Sequence, residues 1–241
     1  MGIIKRTFGV NCAVLPVIHI DTPEQAAEES LVAFMTGADG VFLIHHGGDT
    51  WLTNAAVLAA DETLRVECQD HPWIGVNLLG VSPSVAFRKL HEYRAYEVRG
   101  VWCDEASAHP DAPPIKTDSS RGVWESTFFA SVAFKHQPTP VDIATAAWRE
   151  VAMGADVLTT SGPETGMPCD PAKVRAIREA VGHEYGVAVA SGVRPENVRG
   201  LVDAGADALL VATGIARGGD FYRMDPAKLR ALIANVREAS Q

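Results

Sequence analysis

No C-x-x-C pair occurs in this chain. Its four cysteines, Cys12, Cys68, Cys103 and Cys169, stand far apart. That spacing offers neither a structural zinc site nor a disulfide framework, and four reduced thiols is the reading that fits. No apolar run approaches the roughly 20 residues of a membrane-spanning helix. The opening MGIIKRTFGV is too short and too mixed for a secretory signal. It begins Met1-Gly2, but Arg6 breaks the myristoylation pattern. No Asn-x-Ser/Thr acceptor is present. A cytoplasmic location is expected. An excess of basic charge is missing too: 21 Lys and Arg face 30 Asp and Glu, a net charge of −9. That balance argues against general binding to nucleic acid or to an anionic membrane, and leaves room for a local basic pocket. A Walker loop, an H-E-x-x-H spacing and a Ser–His–Asp signature are all absent. No linker divides the chain, so residues 1–241 are expected to form a single domain.

What is present centres on one stretch, GVAVASGVRPENVRGLVDAGADALLVATGIARGG, from Gly186 to Gly219. Gly186–Ala190 is a short apolar run followed at once by turn residues, as a buried strand should be. Ser191-Gly192-Val193 turns into an expected helix with Pro195 near its first position and Gly205 at its end. Ala208–Val211 is a second strand, and Thr213-Gly214 a second turn. Two neighbouring parallel strands would thus end in glycine-bearing turns at one sheet edge. Such turns aim backbone N–H groups at an anion, and glycine lets it approach. In an eight-fold barrel this is the usual phosphate site, after strands 7 and 8.

An internal echo supports that architecture. Gly37-Ala38-Asp39, Gly154-Ala155-Asp156 and Gly205-Ala206-Asp207 each precede an apolar run. Glycine would end a helix there and a strand would follow. The intervals fit whole numbers of strand–helix units of about 25–30 residues, some eight in the chain. A (β/α)8 TIM barrel is therefore expected. Strands are expected at Val14–Ile20, Gly40–Ile44, Trp73–Leu79, Gly100–Cys103, Phe128–Phe134 and Val157–Thr160, ahead of the two already given. Helices are expected at Thr22–Thr36, Asn54–Cys68, Pro83–Tyr93, Val141–Met153, Pro171–Val181 and Pro226–Arg237. Residues 104–126 break the rhythm with Pro110, Pro113 and Pro114. They are read as a long strand 4 loop, a candidate lid, with only a reduced fourth helix at Ser119–Glu125.

Barrel active sites lie at the C-terminal ends of the strands, and that rule selects the candidates. Alternation along strand 5 puts Lys135 with Ser131 and Ala133 toward the interior, opposite Val132, Phe134 and His136. A lysine there can hold a phosphate or carboxylate, or act as a base when desolvated. His19 and Asp21 share a face of strand 1, which suits a general base or a metal ligand. His45 and His46 are adjacent and point apart. With Asp49 and Asp104 they leave a divalent metal open as a cofactor, but none is assigned. Glu164, in the strand 6 loop, is an acid/base candidate, and Asn77 would orient the substrate.

Three segments resemble the BtpA/SgcQ family: FFASVAFKHQPTP, ADVLTTSGPETGMPCDPAKVRAIREAV and VAVASGVRPENVRGLVDAGADALLVATGIARGGDF. PVIHI and IGVNLL agree with them earlier in the chain. The resemblance covers most of the chain and is most specific from Phe128 to Arg237. It implies a ribulose-phosphate-binding type of barrel; one family member is associated with photosystem I biogenesis. The matching positions include His19, Asn77, Lys135, His136, Ser161, Thr165, Ser191, Gly192, Asn197 and Thr213. The chain departs from the family where a Glu-Asn pair and an aromatic are usual, with His45-His46 and Gly47. It departs again at Ala212 and at Ala216-Arg217-Gly218-Gly219. The leading expectation is an enzyme acting on a small phosphorylated metabolite, a phosphoribosyl compound or nucleotide, by isomerisation, lyase chemistry or phosphoribosyl transfer. Ser191, Gly192, Val193, Thr213, Gly214 and Arg217 would bind phosphate; Lys135, His19, Glu164 and Asn77 would carry the chemistry. A non-catalytic assembly factor and a metal-dependent hydrolase or lyase stay open beside it. A homo-oligomer fits a barrel of this size.

Overall fold

The computed structural model describes residues 1–68, 72–95, 97–107 and 126–241. A short helix, α1 (Ile3–Phe8), leads into eight parallel strands that close on themselves in chain order. The strands are β1 (Ala13–His19), β2 (Val41–Ile44), β3 (Ile74–Asn77), β4 (Val98–Cys103), β5 (Thr127–Ser131), β6 (Val157–Ser161), β7 (Gly186–Ala190) and β8 (Ala208–Val211). Closure pairs the last strand with the first, Ala13 beside Ala208 and Pro16 beside Val211. Among the described residues a helix follows seven of the strands: α2 (Pro23–Thr36), α3 (Thr50–Cys68), α4 (Pro83–Glu92), α5 (Ile143–Met153), α6 (Pro171–Val181), α7 (Val198–Asp203) and α8 (Pro226–Ala239). This is the expected (β/α)8 barrel. Most of the expected lid, and all of the short fourth helix at Ser119–Glu125, lie outside the described residues.

The Gly-Ala-Asp echo has a single structural meaning. Each glycine takes the left-handed backbone that ends a helix, with φ of 100°, 105° and 103° at Gly37, Gly154 and Gly205. Each aspartate then clasps one residue of the preceding strand. Its N–H donates to that residue's carbonyl, at Val14, Phe128 and Val187 in turn. Its carboxylate accepts the same residue's N–H at 2.7, 2.8 and 3.0 Å. The repeat fixes strand register at the bottom of the barrel, on the side away from the mouth.

Inside the strands, Leu15, Phe42, Trp102, Phe129 and Leu210 fill the barrel. Phe42 sits at the centre, with its ring 5.2, 5.8 and 5.1 Å from those of Trp73, Trp102 and Phe129. A larger apolar layer, including Val14, Leu43, Val76, Leu158 and Leu209, packs under the helices. Helix α1, which carries no strong helix signal in the sequence, plugs the bottom through Ile4, which is 2% exposed. Leu229, Leu232 and Val236 of α8 are buried, as their helical spacing predicts.

Capping decided several boundaries. Thr22, Asp170 and Asp225 accept N–H groups of the first turns of α2, α6 and α8, with proline next in line. The same signal failed at Pro195. There Asn197 folds back, accepting the Arg194 N–H at 2.9 Å and donating to the Gly192 carbonyl at 2.8 Å. That closes a turn, and α7 starts only at Val198.

Strand 5 also ends early. The chain turns at Ala133, whose φ is +47°, so alternation does not run on to Lys135. Phe134 consequently joins the interior cluster and does not face the helices. After β8, a single 3-10 turn (Thr213–Ile215) leads into an unexpected hairpin of β9 (Ala216–Arg217) and β10 (Asp220–Met224). Gly218 and Gly219, with φ of 62° and 88°, make its tight turn.

Candidate active site at the barrel mouth

A cavity of about 500 Å³ opens at the C-terminal ends of the strands. Its floor and one wall are aromatic: Trp102, Phe134 and Phe221. Its other wall is polar: Lys135, Thr165, Ser191 and Thr213. His19, His46 and Asp104 complete it.

The polar wall is built by three loops pressed backbone to backbone. A Cβ on Gly162 would lie 2.2 Å from the Met167 carbonyl oxygen, and one on Gly192 would lie 2.0 Å from the same atom. A Cβ on Gly214 would lie 2.0 Å from the Val193 carbonyl oxygen. The loops after β6, β7 and β8 therefore stack as one layer that admits no side chain at these positions. Ser191 and Gly192 are both left-handed, with φ of 68° and 67°. The Ser191 hydroxyl accepts the Gly166 N–H at 2.9 Å and so binds the β7 turn to the β6 loop. Among the described residues, the N–H groups of Gly192, Val193, Thr213 and Gly214 donate to no protein acceptor. Successive free N–H groups in tight turns form an anion-binding concavity.

Lys135 reaches the mouth from the turn after β5. Its N–H donates to Ser161 Oγ at 2.8 Å, and its Nζ donates to Thr165 Oγ1 at 3.0 Å. Lys173 pins that turn from below, donating to the carbonyls of Ala133 and Ser161. Asp104 lies beyond the end of β4, where Asn77 Nδ2 donates to its Oδ1 at 3.0 Å. Burial lowers the pKa of Lys135, and Asp104 works against that shift. Burial raises the pKa of Asp104, offset first by the Asn77 hydrogen bond and then by Lys135. Each group is thus shifted toward its neutral form. Burial first, then His46 and Lys135, pushes the His19 pKa down to about 4. His19 is therefore an uncharged imidazole at neutral pH.

The expected residues divide. Lys135, His19, Ser191 and Thr213 line the cavity. Gly192, Val193 and Gly214 form its turns. Asn77 is 1% exposed, does not line the cavity and hydrogen-bonds to Asp104, which does. Glu164 is exposed in the β6 loop and Arg217 is exposed on β9; neither lines the cavity. Asp21 lies past the end of β1, exposed, so the shared face with His19 does not extend to it. His45 turns away and accepts the Asp49 N–H at 3.0 Å. Among the described residues, no group of three or more His, Cys, Asp or Glu side chains has the arrangement of a metal site. The aromatic wall was not anticipated. Gly218-Gly219 was the signal for the hairpin that carries Phe221, and the shortness of β5 swings Phe134 inward.

No family model matches the sequence, and no match to a curated protein was found. Solved structures do resemble the chain. The phosphoribosyl anthranilate isomerase of Thermus thermophilus is 19% identical, with a TM-score of 0.65 over 94% of this chain and 98% of that one. The thiamine phosphate pyrophosphorylase of Pyrococcus furiosus is 17% identical, with a TM-score of 0.65 over 96% and 98%. The (S)-3-O-geranylgeranylglyceryl phosphate synthase of Thermoplasma acidophilum, in complex with its substrate sn-glycerol-1-phosphate, is 15% identical, with a TM-score of 0.66 over 99% of both. At these identities the likeness is one of fold, and these enzymes run different reactions on it.

Proposed function

We propose that the barrel mouth is the active site of an enzyme for a small phosphorylated metabolite. The phosphate is held by the turns after β7 and β8, and Lys135, Asp104 and His19 move protons or polarise a carbonyl at the other end. One observation carries this reading. Among the described residues, four unpaired N–H groups, in turns that admit no side chain at Gly192 and Gly214, flank the cavity that holds a half-buried lysine, a partly buried carboxyl and a neutral imidazole. Isomerase or lyase chemistry by proton abstraction uses all of these groups. The structural neighbours include enzymes named for phosphorylated compounds, among them a phosphoribosyl compound. The segments resembling the BtpA/SgcQ family build this same half of the barrel.

A thermal-shift series on the full chain tests the proposal. The probes are ribose 5-phosphate, sn-glycerol 1-phosphate, mononucleotides and the unphosphorylated form of each. A ligand at a hundred times its Kd adds about 2.7 kcal/mol, or about 5–11 °C in Tm for a chain of this size. A rise confined to phosphorylated probes is expected. No rise, or an equal rise without the phosphate, refutes it. A second reading, an assembly factor of BtpA type, draws on the apolar face that α3 turns to solvent through Trp51, Leu58 and Val66. It requires that Lys135→Ala leave cellular function intact.

A further inference from the structure

Two imidazoles meet at the rim of the cavity. His19 ends β1, and His46 stands exposed in the turn after β2. Ladder register sets the meeting: His19 pairs with Ile44, so the turn beyond Ile44 begins beside it. His45 is held away by the Asp49 N–H, and His46 faces back to β1. His19 Nδ1 and His46 Nε2 are 2.7 Å apart. The ring planes differ by 9° and the ring centres are 4.7 Å apart. Nitrogens meeting face over face at that distance would bring the centres closer. The rings are therefore parallel and displaced, meeting at their nitrogen edges, which lets the N–H of one reach the lone pair of the other. Phe221 stands edge-on to His19, with ring centres 5.9 Å apart.

Among the described residues, no carboxylate bonds to either ring. A carboxylate behind an acid–base histidine orients it and balances its charge. A second imidazole can do more, because a proton can enter at one nitrogen while another leaves from the other.

We propose that His19 and His46 form a two-ring proton relay between the cavity and solvent. His19 is the group that meets substrate, and His46 is its partner. This rests on the reading of the cavity as a proton-transfer site. At the start His19 carries its proton on Nδ1, donated to His46 Nε2, and His46 carries its own on Nδ1. A substrate C–H proton bonds to His19 Nε2, and the C–H electron pair stays on the substrate carbon. The Nδ1 proton of His19 passes to His46 Nε2, and the Nδ1 proton of His46 leaves to water. Both rings end neutral with exchanged tautomers, and one proton has moved from substrate to solvent. Protonation of the product runs the same steps backward and resets the pair. No lasting charge falls on His19, which suits a site where burial, then His46 and Lys135, disfavour the imidazolium.

The test is nuclear magnetic resonance of the 15N-labelled full chain, with His46→Gln and His46→Phe beside the wild type. Glutamine still accepts a hydrogen bond from His19 but cannot pass a proton on. The wild type should show a nitrogen–nitrogen coupling across the pair and a His19 proton on Nδ1. In H46Q, exchange of that proton with water should slow by roughly tenfold or more, while the backbone amide spectrum stays native. H46F should lose the Nδ1 hydrogen bond altogether. An unchanged exchange rate in H46Q, or a wild-type His19 protonated on Nε2 without coupling, overturns the relay. These readouts need no substrate, so failure of the relay is distinct from failure of every phosphorylated probe to raise Tm.

Discussion

Gly192→Ala separates two costs that usually arrive together. Gly192 has φ of +67°, where an alanine costs about 1–2 kcal/mol from backbone sterics alone. Its added Cβ would also stand 2.0 Å from the Met167 carbonyl oxygen, about 1.4 Å short of ordinary contact. That oxygen belongs to backbone and cannot swing aside, so the β6 and β7 loops must part. Overpacking of this kind adds about 1–3 kcal/mol. Gly218 is the control: its φ is +62°, and an added Cβ meets nothing within 4 Å. Gly218→Ala carries the backbone cost alone. The Gly192 variant should therefore melt about 2–12 °C below the Gly218 variant, and urea unfolding should place the gap at 1–3 kcal/mol. The Gly192 variant should also lose the Tm rise from ribose 5-phosphate, since parting the loops moves the N–H groups; the Gly218 variant should keep it. Equal melting temperatures for the two would refute the claim that the loops form one packed layer.

Two further predictions concern buried charge. Glu150 is 4% exposed and hydrogen-bonds to Ser107, and burial lifts its pKa from 4.5 to about 7. The folded chain thus holds a proton that the unfolded chain releases, so stability should fall by about 3 kcal/mol as pH rises from 4.5 through 7. Glu150→Gln should flatten that slope in urea titrations, and an unaltered slope would count against it. Arg178 donates to the carbonyls of Gly182, Tyr185 and Gly205 and to the Asp207 carboxylate. Arg178→Met strands that carboxylate and should cost about 2–4 kcal/mol, less than a fully buried pair because Asp207 keeps some exposure. A loss under 1 kcal/mol would show that water replaces the arginine.

Short-range signals carried most of the fold. The strands β7 and β8 and the helices α2 and α6 stood where the residues put them, because each depends on neighbours in the chain. The tight turn after β7 was legible for the same reason: glycine and serine at φ near +68° are a local requirement. The cavity's contents were less so. Lys135 reaches the mouth by a turn that Lys173 pins from another element, and no alternation rule sees that contact. Glu164 sat in the right loop, but side-chain direction within a loop is set by packing, and this one faces solvent. Phe221 depends on a hairpin that lands on α2, 195 to 197 residues away in sequence.

That hairpin has a consequence for how the barrel comes apart. The junction of β1 and β8 closes the sheet between its first and last strands. Gln25 of α2 donates to the Tyr222 carbonyl at 2.7 Å, Glu29 accepts the Met224 N–H at 2.8 Å, and Arg223 reaches Glu28 and Glu29. The β10 strand is thus fastened across that junction like a clasp. The last loop of the candidate site cannot fray by itself, because releasing it also undoes the clasp. Amide protection along 220–224 should then track global unfolding and not local breathing. The loop that follows β8 would then be as durable as the barrel itself.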